Sequence, residues 1–461
     1  MNPIDKKFQI FRPFLLIFFI PLIFLGYNLL LENTLLNTTF LKPSPALFSK
    51  QKVKPNPLLA AERRLKNLSH IKKNTETQNK LDSINSYLFY TGTEHLSQFV
   101  QAISSCSKDQ VRIGYFGDSS IEGDLISMTI RTFLQKKFGG NGVGFVPITS
   151  LTSGFRSSIS HSFSDNWDYG SIIRNYGSAF PYGISGEVFY VKNDSLLAET
   201  TQTASVKYGL RSSANVQAVL FYGKQDTSSI LPSNSVSTGS NTVLLNDSNL
   251  VNTEVLGKQA STYALEFSFN RPQAIYGVSF ASSSGIIVDN FALRSNSGGT
   301  LSKISSNYLK AFNQQMDFDL IILQYGLNIL SDKPDDNYLW YKTQMSNVIQ
   351  KMKIALPNAS FLLVSIGDKS EKNDQGVIET QVNVEKLVAL QKDIAIENNV
   401  SFFNMYEAMG GKNSMVVWVE TNDWANKDYT HFNYKGAAIM GESLSQFLQK
   451  AYFKQFECNE K

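Results

Sequence analysis

The sequence predicts an α/β protein that has an N-terminal transmembrane helix and a parallel sheet interrupted by an inserted all-β part, and three observations support this prediction. Buried-strand patterns alternate with helical patterns around Val111 and again after Gly285, which is typical of a parallel sheet covered by helices on both faces. Between these regions, Ser, Thr, Asn and Gly separate short β-favouring runs, as in a β-sandwich. The third observation is an uncharged apolar run, Pro13–Leu31, which predicts a transmembrane helix.

The N-terminal apolar run is long enough to span the ~30 Å hydrocarbon core of a bilayer. Basic residues precede it, so the positive-inside rule keeps the first residues in the cytoplasm and exports the rest. A cleaved signal peptide is the alternative, but the run is long and no small-residue cleavage site follows it. We therefore expect a cytoplasmic stub and anchor at 1–31 and a flexible tether, containing prolines and lysines, at 32–80.

The overall composition excludes some classes of protein. The chain has 461 residues, of which 42% are hydrophobic and 18% charged, as in folded proteins with two or three domains. Its net charge of +4 is too small for a nucleic-acid-binding surface, so we expect no nucleic-acid partner. Two cysteines, Cys106 and Cys458, are too few for a disulfide framework, and whether they pair stays open.

The α/β part is expected at 81–150 and 285–461. Its first strand is Val111–Gly117, where β-branched and aromatic residues end at a glycine, and a helical pattern follows over Ile121–Phe138. A further helical pattern, Leu81–Ser105, precedes this strand. After the insert we expect strands at Asp319–Gln324, Ser360–Ile366 and Val400–Asn404, and helices at Pro334–Ala355, Ile378–Asn399 and Tyr434–Tyr452.

The β-rich insert is expected at 151–284. Its clearest strand patterns are Val216–Tyr222, Thr242–Leu245, Tyr263–Phe269 and Ile275–Phe280. Four aromatic residues in it can stack on sugar rings or pack within the protein, and packing is favoured; they are Trp167, Tyr169, Tyr176 and Tyr182. A glycine-rich stretch, Gly140–Gly144, follows a helix rather than a strand, which argues against a dinucleotide-binding loop.

A first candidate for chemistry lies where the first strand ends, at Asp118, Ser119 and Ser120. Side chains there project from the carboxyl edge of the sheet, and the first N–H groups of the next helix are unpaired. A serine in this place can attack a carbonyl carbon while N–H groups hold the oxyanion. The alternative is that the serine only caps the helix.

A second candidate lies in the loop before the last helix, where Asp428 and His431 are three residues apart. The carboxylate can orient the imidazole, which can then accept a proton from a serine. A single histidine is more often structural. The catalytic interpretation gains weight because Asp428, Ser119 and Asn328 all follow predicted strands at the same edge of the sheet.

Three segments in this order, FGDSSIEGD, YGLN and KDYTHFN, resemble the ordered blocks of the SGNH, or GDSL-type, hydrolase superfamily. The resemblance implies a three-layer, flavodoxin-like domain with Ser119 as nucleophile, His431 as base and Asp428 as the carboxylate that orients it. It also implies an oxyanion hole made by the Ser119 N–H, the Asn328 amide and an N–H from a glycine block. Ser295 replaces the glycine of that block, and Gly298 is the other possible alignment.

The insert lies between the first two blocks, which is similar to the periplasmic peptidoglycan O-acetylesterases. KFGGNGVGFVP and Ala408–Gly411 also look like that group. This resemblance implies a serine esterase, anchored in the inner membrane with its catalytic part in the periplasm, that removes O-acetyl groups from peptidoglycan or another exported glycan. No metal or cofactor is expected. Two alternatives remain: an O-acetyltransferase acting on a cell-wall or exported polysaccharide, and a catalytically inactive glycan-binding protein.

Overall fold

A computed structural model describes residues 90–174, 181–192, 201–225, 232–245, 248–333 and 336–459. The predicted anchor Pro13–Leu31 and the tether at 32–80 lie outside the described residues, as do Tyr176 and the side chain of Cys458. Within the described ranges, no helix combines the length and the apolar character needed to cross a bilayer. The anchor and the inner-membrane location therefore stay predictions.

The described residues form nineteen strands and eight α-helices. The strands are β1 (Tyr90–Thr91), β2 (Gln110–Gly117), β3 (Gly144–Pro147), β4 (Ile159–Phe163), β5 (Trp167–Ser171), β6 (Glu187–Val191), β7 (Gln202–Leu210), β8 (Val216–Gly223), β9 (Ser235–Thr238), β10 (Asn241–Leu244), β11 (Val251–Lys258), β12 (Thr262–Phe269), β13 (Ile275–Ser282), β14 (Gly285–Ala292), β15 (Phe318–Gln324), β16 (Ser360–Val364), β17 (Ser370–Lys372), β18 (Ile378–Thr380) and β19 (Ser401–Phe403). The α-helices are α1 (Ser97–Ser105), α2 (Ser127–Phe138), α3 (Ser306–Met316), α4 (Leu339–Ala355), α5 (Val384–Glu397), α6 (Met405–Met409), α7 (Ser414–Glu420) and α8 (Tyr434–Asn459).

The main sheet has the order β1-β19-β16-β15-β2-β14. All its strands run parallel except β1, which pairs antiparallel with β19 at one edge. Numbered along the chain, the five parallel strands follow the order 2-1-3-4-5, which is the flavodoxin-like arrangement. The α/β class is confirmed, and β2, which precedes Ser119, lies inside the sheet where the strand order reverses.

Helices cover both faces of this sheet, so the α/β part has three layers. In β15, Leu320 and Ile322 point to the layer of α1, α2 and α8, whereas Ile321 and Leu323 point to the layer of α3, α4 and α5. Because successive side chains of a strand point to opposite faces, an unbroken apolar run is what a strand buried on both sides requires.

The β-rich part consists of two sheets that share a hydrophobic core. One has the order β10-β9-β12-β7-β4, and the other β11-β8-β13-β6-β5, with β3 paired to β13. In the first sheet burial alternates along the strand: Tyr263, Leu265 and Phe267 of β12 are buried, while Ala264 and Glu266 are exposed.

The centre of the second sheet of the β-rich part is buried on both faces. Every residue of β13 is buried, and the outer face of the sheet packs against α3 of the α/β part. There the ring of Phe221 stacks on the ring of Phe312, with centroids 6.0 Å apart and an interplanar angle of 15°. The two parts of the chain therefore share an apolar contact.

The boundary of the β-rich part differs from the predicted one. Residues up to 150 are predicted to belong to the α/β part, but Gly144–Pro147 forms β3 and pairs with β13. A strand this short does not show the alternation of apolar and polar residues by which strands are predicted from a sequence. The preceding glycines allow close passage of the chain, because a Cβ added at Gly142, which has φ +99°, would overlap the carbonyl group of Phe280.

Several predicted helices begin later than expected. Within the described residues of Leu81–Ser105, β1 and a 3-10 helix at Thr93–Leu96 precede α1. Helix α4 begins at Leu339 rather than at Pro334. Helix α5 begins at Val384 because the residues from Ile378 form β18, which pairs with β17 in a hairpin.

Candidate active site

The candidate nucleophile lies on a turn rather than on a helix. After β2 the chain forms a 3-10 turn, Ser119–Asp124, and α2 begins only at Ser127. The sequence predicted a helix from Ile121. That prediction was wrong at its start, because Gly123, Asp124 and Ile126 have positive φ values of 66°, 69° and 58°, which an α-helix excludes.

Asp118 fixes the start of this turn. It is buried, and its Oδ1 accepts hydrogen bonds from the Ser120 backbone N–H (2.9 Å) and the Ser120 hydroxyl (2.7 Å). Its Oδ2 accepts one from the Asn328 amide at 2.9 Å. Burial raises the pKa of Asp118, and the hydrogen bonds from Ser120 oppose that shift. Asp118 therefore caps this turn and engages Ser120, which leaves the Ser119 hydroxyl available for chemistry.

The structure brings Ser119, His431 and Asp428 together. Ser119 Oγ lies 2.9 Å from His431 Nε2, and His431 Nδ1 lies 2.8 Å from Asp428 Oδ2. The other carboxylate oxygen, Oδ1, accepts hydrogen bonds from the backbone N–H groups of Thr430 and His431, both at 3.0 Å. These are the contacts needed to move a proton from a hydroxyl to an imidazole that a carboxylate orients.

The electrostatics of this group suit an ionised carboxylate. Burial by itself would raise the pKa of Asp428, but hydrogen bonds from His431 and Thr430 lower it below its usual value. The carboxylate is therefore charged at neutral pH and can stabilise an imidazolium. The side chains of His431 and Asp428 remain 36% and 48% exposed, so water can reach the reacting groups.

Ser295 lies on the loop after β14, close to the turn that carries Ser119. Its φ is 63°, a value that favours glycine, as expected if it occupies the glycine position of the block. Within the described ranges, neither the Ser119 N–H nor the Ser295 N–H donates a hydrogen bond. The Gly298 N–H, by contrast, donates to Asn296 Oδ1 at 2.8 Å. These contacts favour Ser295 over Gly298 as an oxyanion donor.

Asn328 is placed differently from the third donor that the sequence predicted. Its Nδ2 donates to Asp118 Oδ2 at 2.9 Å and to the Asn296 carbonyl at 3.1 Å. Both amide hydrogens are therefore engaged, and an oxyanion would have to share one of them. The same contacts tie the loop after β15 to the turn that carries the serine.

A cavity of about 410 Å³ lies beside Ser295, between the loop after β14 and the β-rich part. Its aromatic lining includes Phe163, Trp167 and Tyr169, and its charged lining consists of Glu122, Asp165, Arg174, Glu187 and Arg294. Two of the aromatic residues considered for sugar stacking thus face one cavity. Tyr182 belongs instead to the hydrophobic core.

Sequence reasoning missed several residues around this site. Arg294 forms an ion pair with Glu122 across 172 residues, with the shortest N–O distance at 2.5 Å, which links the two loops that carry Ser119 and Ser295. Burial raises the pKa of Glu187 to about 8, which favours the protonated form of this carboxyl group at neutral pH. No short-range pattern marks such residues. The described part of the chain holds no cluster of three metal-ligand side chains.

No protein-family model matches the chain, and no curated protein sequence does either. The fold is that of the SGNH-type hydrolases. In particular, the chain is similar to a solved structure described as a peptidoglycan O-acetylesterase in action, with a TM-score of 0.62 and 21% identity over 78% of this chain and 96% of that chain.

Two more distant structures were also found. A family two carbohydrate esterase from Cellvibrio japonicus shares 8% identity over 63% of this chain and 98% of that one, with a TM-score of 0.25. A carbohydrate acetylesterase from Sinorhizobium meliloti shares 15% identity over 36% and 79%, also with a TM-score of 0.25. Scores this low carry no weight for the fold.

Proposed function

We propose that this chain is a serine esterase that removes O-acetyl groups from peptidoglycan or another exported glycan. The observation that supports this most is the continuous hydrogen-bonded series Ser119–His431–Asp428, with distances of 2.9 and 2.8 Å. It lies at the carboxyl edge of a doubly wound sheet, where such folds bind ligands.

In the first half of the reaction, Ser119 Oγ attacks the acetyl carbonyl carbon and gives its proton to His431 Nε2. Asp428 stabilises the imidazolium. The oxyanion accepts hydrogen bonds from the backbone N–H groups of Ser119 and Ser295. The Asn328 amide donates a further one when it shares one of its hydrogens between its present acceptor and the oxyanion. His431 then returns the proton to the sugar oxygen, the C–O bond breaks, and the alcohol leaves an acetyl-enzyme.

In the second half, His431 takes a proton from water, and the resulting hydroxide attacks the acetyl carbon. The bond to Ser119 Oγ breaks, the serine regains the proton from His431, and acetate leaves. The exposure of the His431 and Asp428 side chains gives water access to the acyl-enzyme.

The glycan is proposed to occupy the cavity beside Ser295. An acetyl ester at Ser119 would place neighbouring sugar units against the loop that contains Arg294 and against Trp167 and Tyr169 of the β-rich part. A lining of aromatic side chains with a few polar groups is typical of ligand-binding cavities. We also propose that Pro13–Leu31 anchors the chain in the inner membrane and that the catalytic part is periplasmic.

Incubating the full-length protein with O-acetylated peptidoglycan tests the proposed reaction. We expect release of acetate without any added acceptor, and turnover of p-nitrophenyl acetate. Acetate transfer that depends on an added glycan acceptor would support the transferase instead. Binding to the glycan with no turnover and no labelling by a serine-directed fluorophosphonate would support the inactive binding protein.

Asn328→Ala is expected to lower kcat for p-nitrophenyl acetate by about 10²–10³-fold, the usual cost of losing one oxyanion donor. The substitution also removes the hydrogen bond to Asp118. Steady-state kinetics at fixed pH would measure the effect, with the exposed Asn307→Ala as a matched control. A kcat within twofold of the wild-type value would exclude Asn328 from the oxyanion hole.

Glu187→Gln is expected to make the stability of the protein less sensitive to pH. The folded-state pKa of Glu187 is raised from 4.5 to about 8. Between these values the unfolded chain loses the proton and the folded chain keeps it, so wild-type stability falls as pH rises from 4.5 to 8. Thermal denaturation at pH 5 and pH 9 should show a smaller decrease in Tm for the variant, and equal decreases would contradict this.

A further inference from the structure

One loop of the β-rich part contacts both sides of the candidate active site. This bridging loop, Thr149–Ser157, connects β3 of one sheet to β4 of the other. It is held internally by hydrogen bonds from the N–H groups of Phe155 and Arg156 to the Thr152 carbonyl, both at 2.9 Å. These hydrogen bonds form a turn within the loop that precedes Arg156.

Arg156 connects the bridging loop to the turn that carries Ser119. Its guanidinium lies 3.5 Å from Asp124 Oδ2, and its side chain is only 9% exposed. Asp124 is the last residue of that turn, has a φ of 69° and is buried. Arg131 of α2 also binds Asp124, at 2.6 Å. Two buried cations, Arg131 of α2 and Arg156 of the bridging loop, therefore hold the end of the turn that carries Ser119.

Phe155 covers the same turn from outside. Its ring lies over Gly123, where an added Cβ would overlap the ring. Gly123 has a φ of 66°, so glycine is required both by the backbone conformation and by this close contact. The turn therefore follows a path that fits the bridging loop.

The same Phe155 also reaches the histidine side of the site. Its ring centroid lies 5.0 Å from that of Tyr434, and the Tyr434 hydroxyl donates to the Phe155 carbonyl at 2.5 Å. Tyr434 is the first residue of α8 and follows His431 by three residues. A single residue of the β-rich part thus contacts the segment after the base and the turn that carries the nucleophile.

We propose that Arg156 and Phe155 of the β-rich part are positioning residues, which hold Ser119 and His431 at the distance that proton transfer between them requires. The inference rests on the proposed esterase function, since it assigns the loop a role in the same reaction. On this basis the β-rich part contributes to turnover of any ester, including one too small to occupy the cavity. If it only bound glycan, the loop would affect KM for glycan and leave the chemistry unchanged.

The test compares Arg156→Met, Phe155→Ala and the conservative Arg156→Lys in the full-length protein. Arg131 still pairs with Asp124 in the first variant, so the fold should persist. We expect kcat for p-nitrophenyl acetate to fall about 10–100-fold with little change in KM, because small misplacements of reacting groups are costly. Arg156→Lys should restore most of kcat. Arg211→Met, which replaces an exposed arginine of the β-rich part, is the matched control.

A second readout does not depend on activity. Amide hydrogen exchange within Ser119–Asp124 should become faster in Arg156→Met and in Phe155→Ala, and not in Arg211→Met. Wild-type kcat together with unchanged exchange in both variants would overturn the inference. A wild-type protein without turnover would refute the proposed esterase function instead, and the exchange measurement would still decide whether the loop holds the turn.

Discussion

Ser119→Ala is expected to reduce turnover of both p-nitrophenyl acetate and O-acetylated glycan by about 10⁴-fold or more. The variant retains the oxyanion donors and the glycan site but has no oxygen to form the acetyl-enzyme. It should bind glycan as the wild type does and should not react with a fluorophosphonate. Acetate release and intact-mass measurement of the labelled protein would test both expectations.

Ser120→Ala is the matched control for this experiment. The Ser120 hydroxyl is buried and donates to Asp118 at 2.7 Å, so its loss should destabilise the protein by about 1 kcal/mol. Most of the turnover should remain. Turnover that survives in Ser119→Ala and disappears in Ser120→Ala would exchange the roles of the two serines and refute the proposed nucleophile.

His431→Ala is expected to lower kcat by about 10⁴-fold or more, because Ser119 then has no base within reach. Adding Ser119→Ala to this variant should cause little further loss, since residues that act as one unit are not additive. Kinetics of the two single variants and the double variant would show this. Losses that multiply in the double variant would mean that Ser119 and His431 act independently.

His95→Ala provides the control for removing an imidazole. His95 lies in the 3-10 helix before α1, where its Nε2 is 3.8 Å from Glu94, and its loss should leave kcat unchanged. The kcat of Asp428→Asn should lie between the values for this control and for His431→Ala. The amide keeps a hydrogen-bonding group beside the imidazole but removes the negative charge.

Much of the α/β part could be predicted from the sequence. Runs such as DLIILQ at Asp319–Gln324 carry apolar residues on both faces, which is what a strand covered on both sides requires. Ser119, Asp428 and His431 are predicted from segments that resemble the SGNH blocks in their order along the chain, and the structure places the three side chains in hydrogen-bond contact. For these residues the sequence pattern and the geometry agree.

Other features could not be predicted, for reasons that are physical. The turn that carries Ser119 is followed by a positive φ at Ile126, and a β-branched residue does not signal such a conformation. The contact between Phe155 and Tyr434 joins residues 279 apart, and local periodicity carries no information about where two loops meet. The engagement of both Asn328 hydrogens likewise depends on the tertiary position of Asp118.

The chain leaves and re-enters the α/β part at almost one point, since the Ile286 N–H donates to the Gly139 carbonyl at 2.9 Å. Excising the β-rich lobe there would need only a short splice. Yet the shortened molecule would present Phe312 and its neighbours to solvent, where Phe221 now covers them. Such a shortened chain should aggregate, which means that the lobe also serves to cover apolar surface of the α/β part.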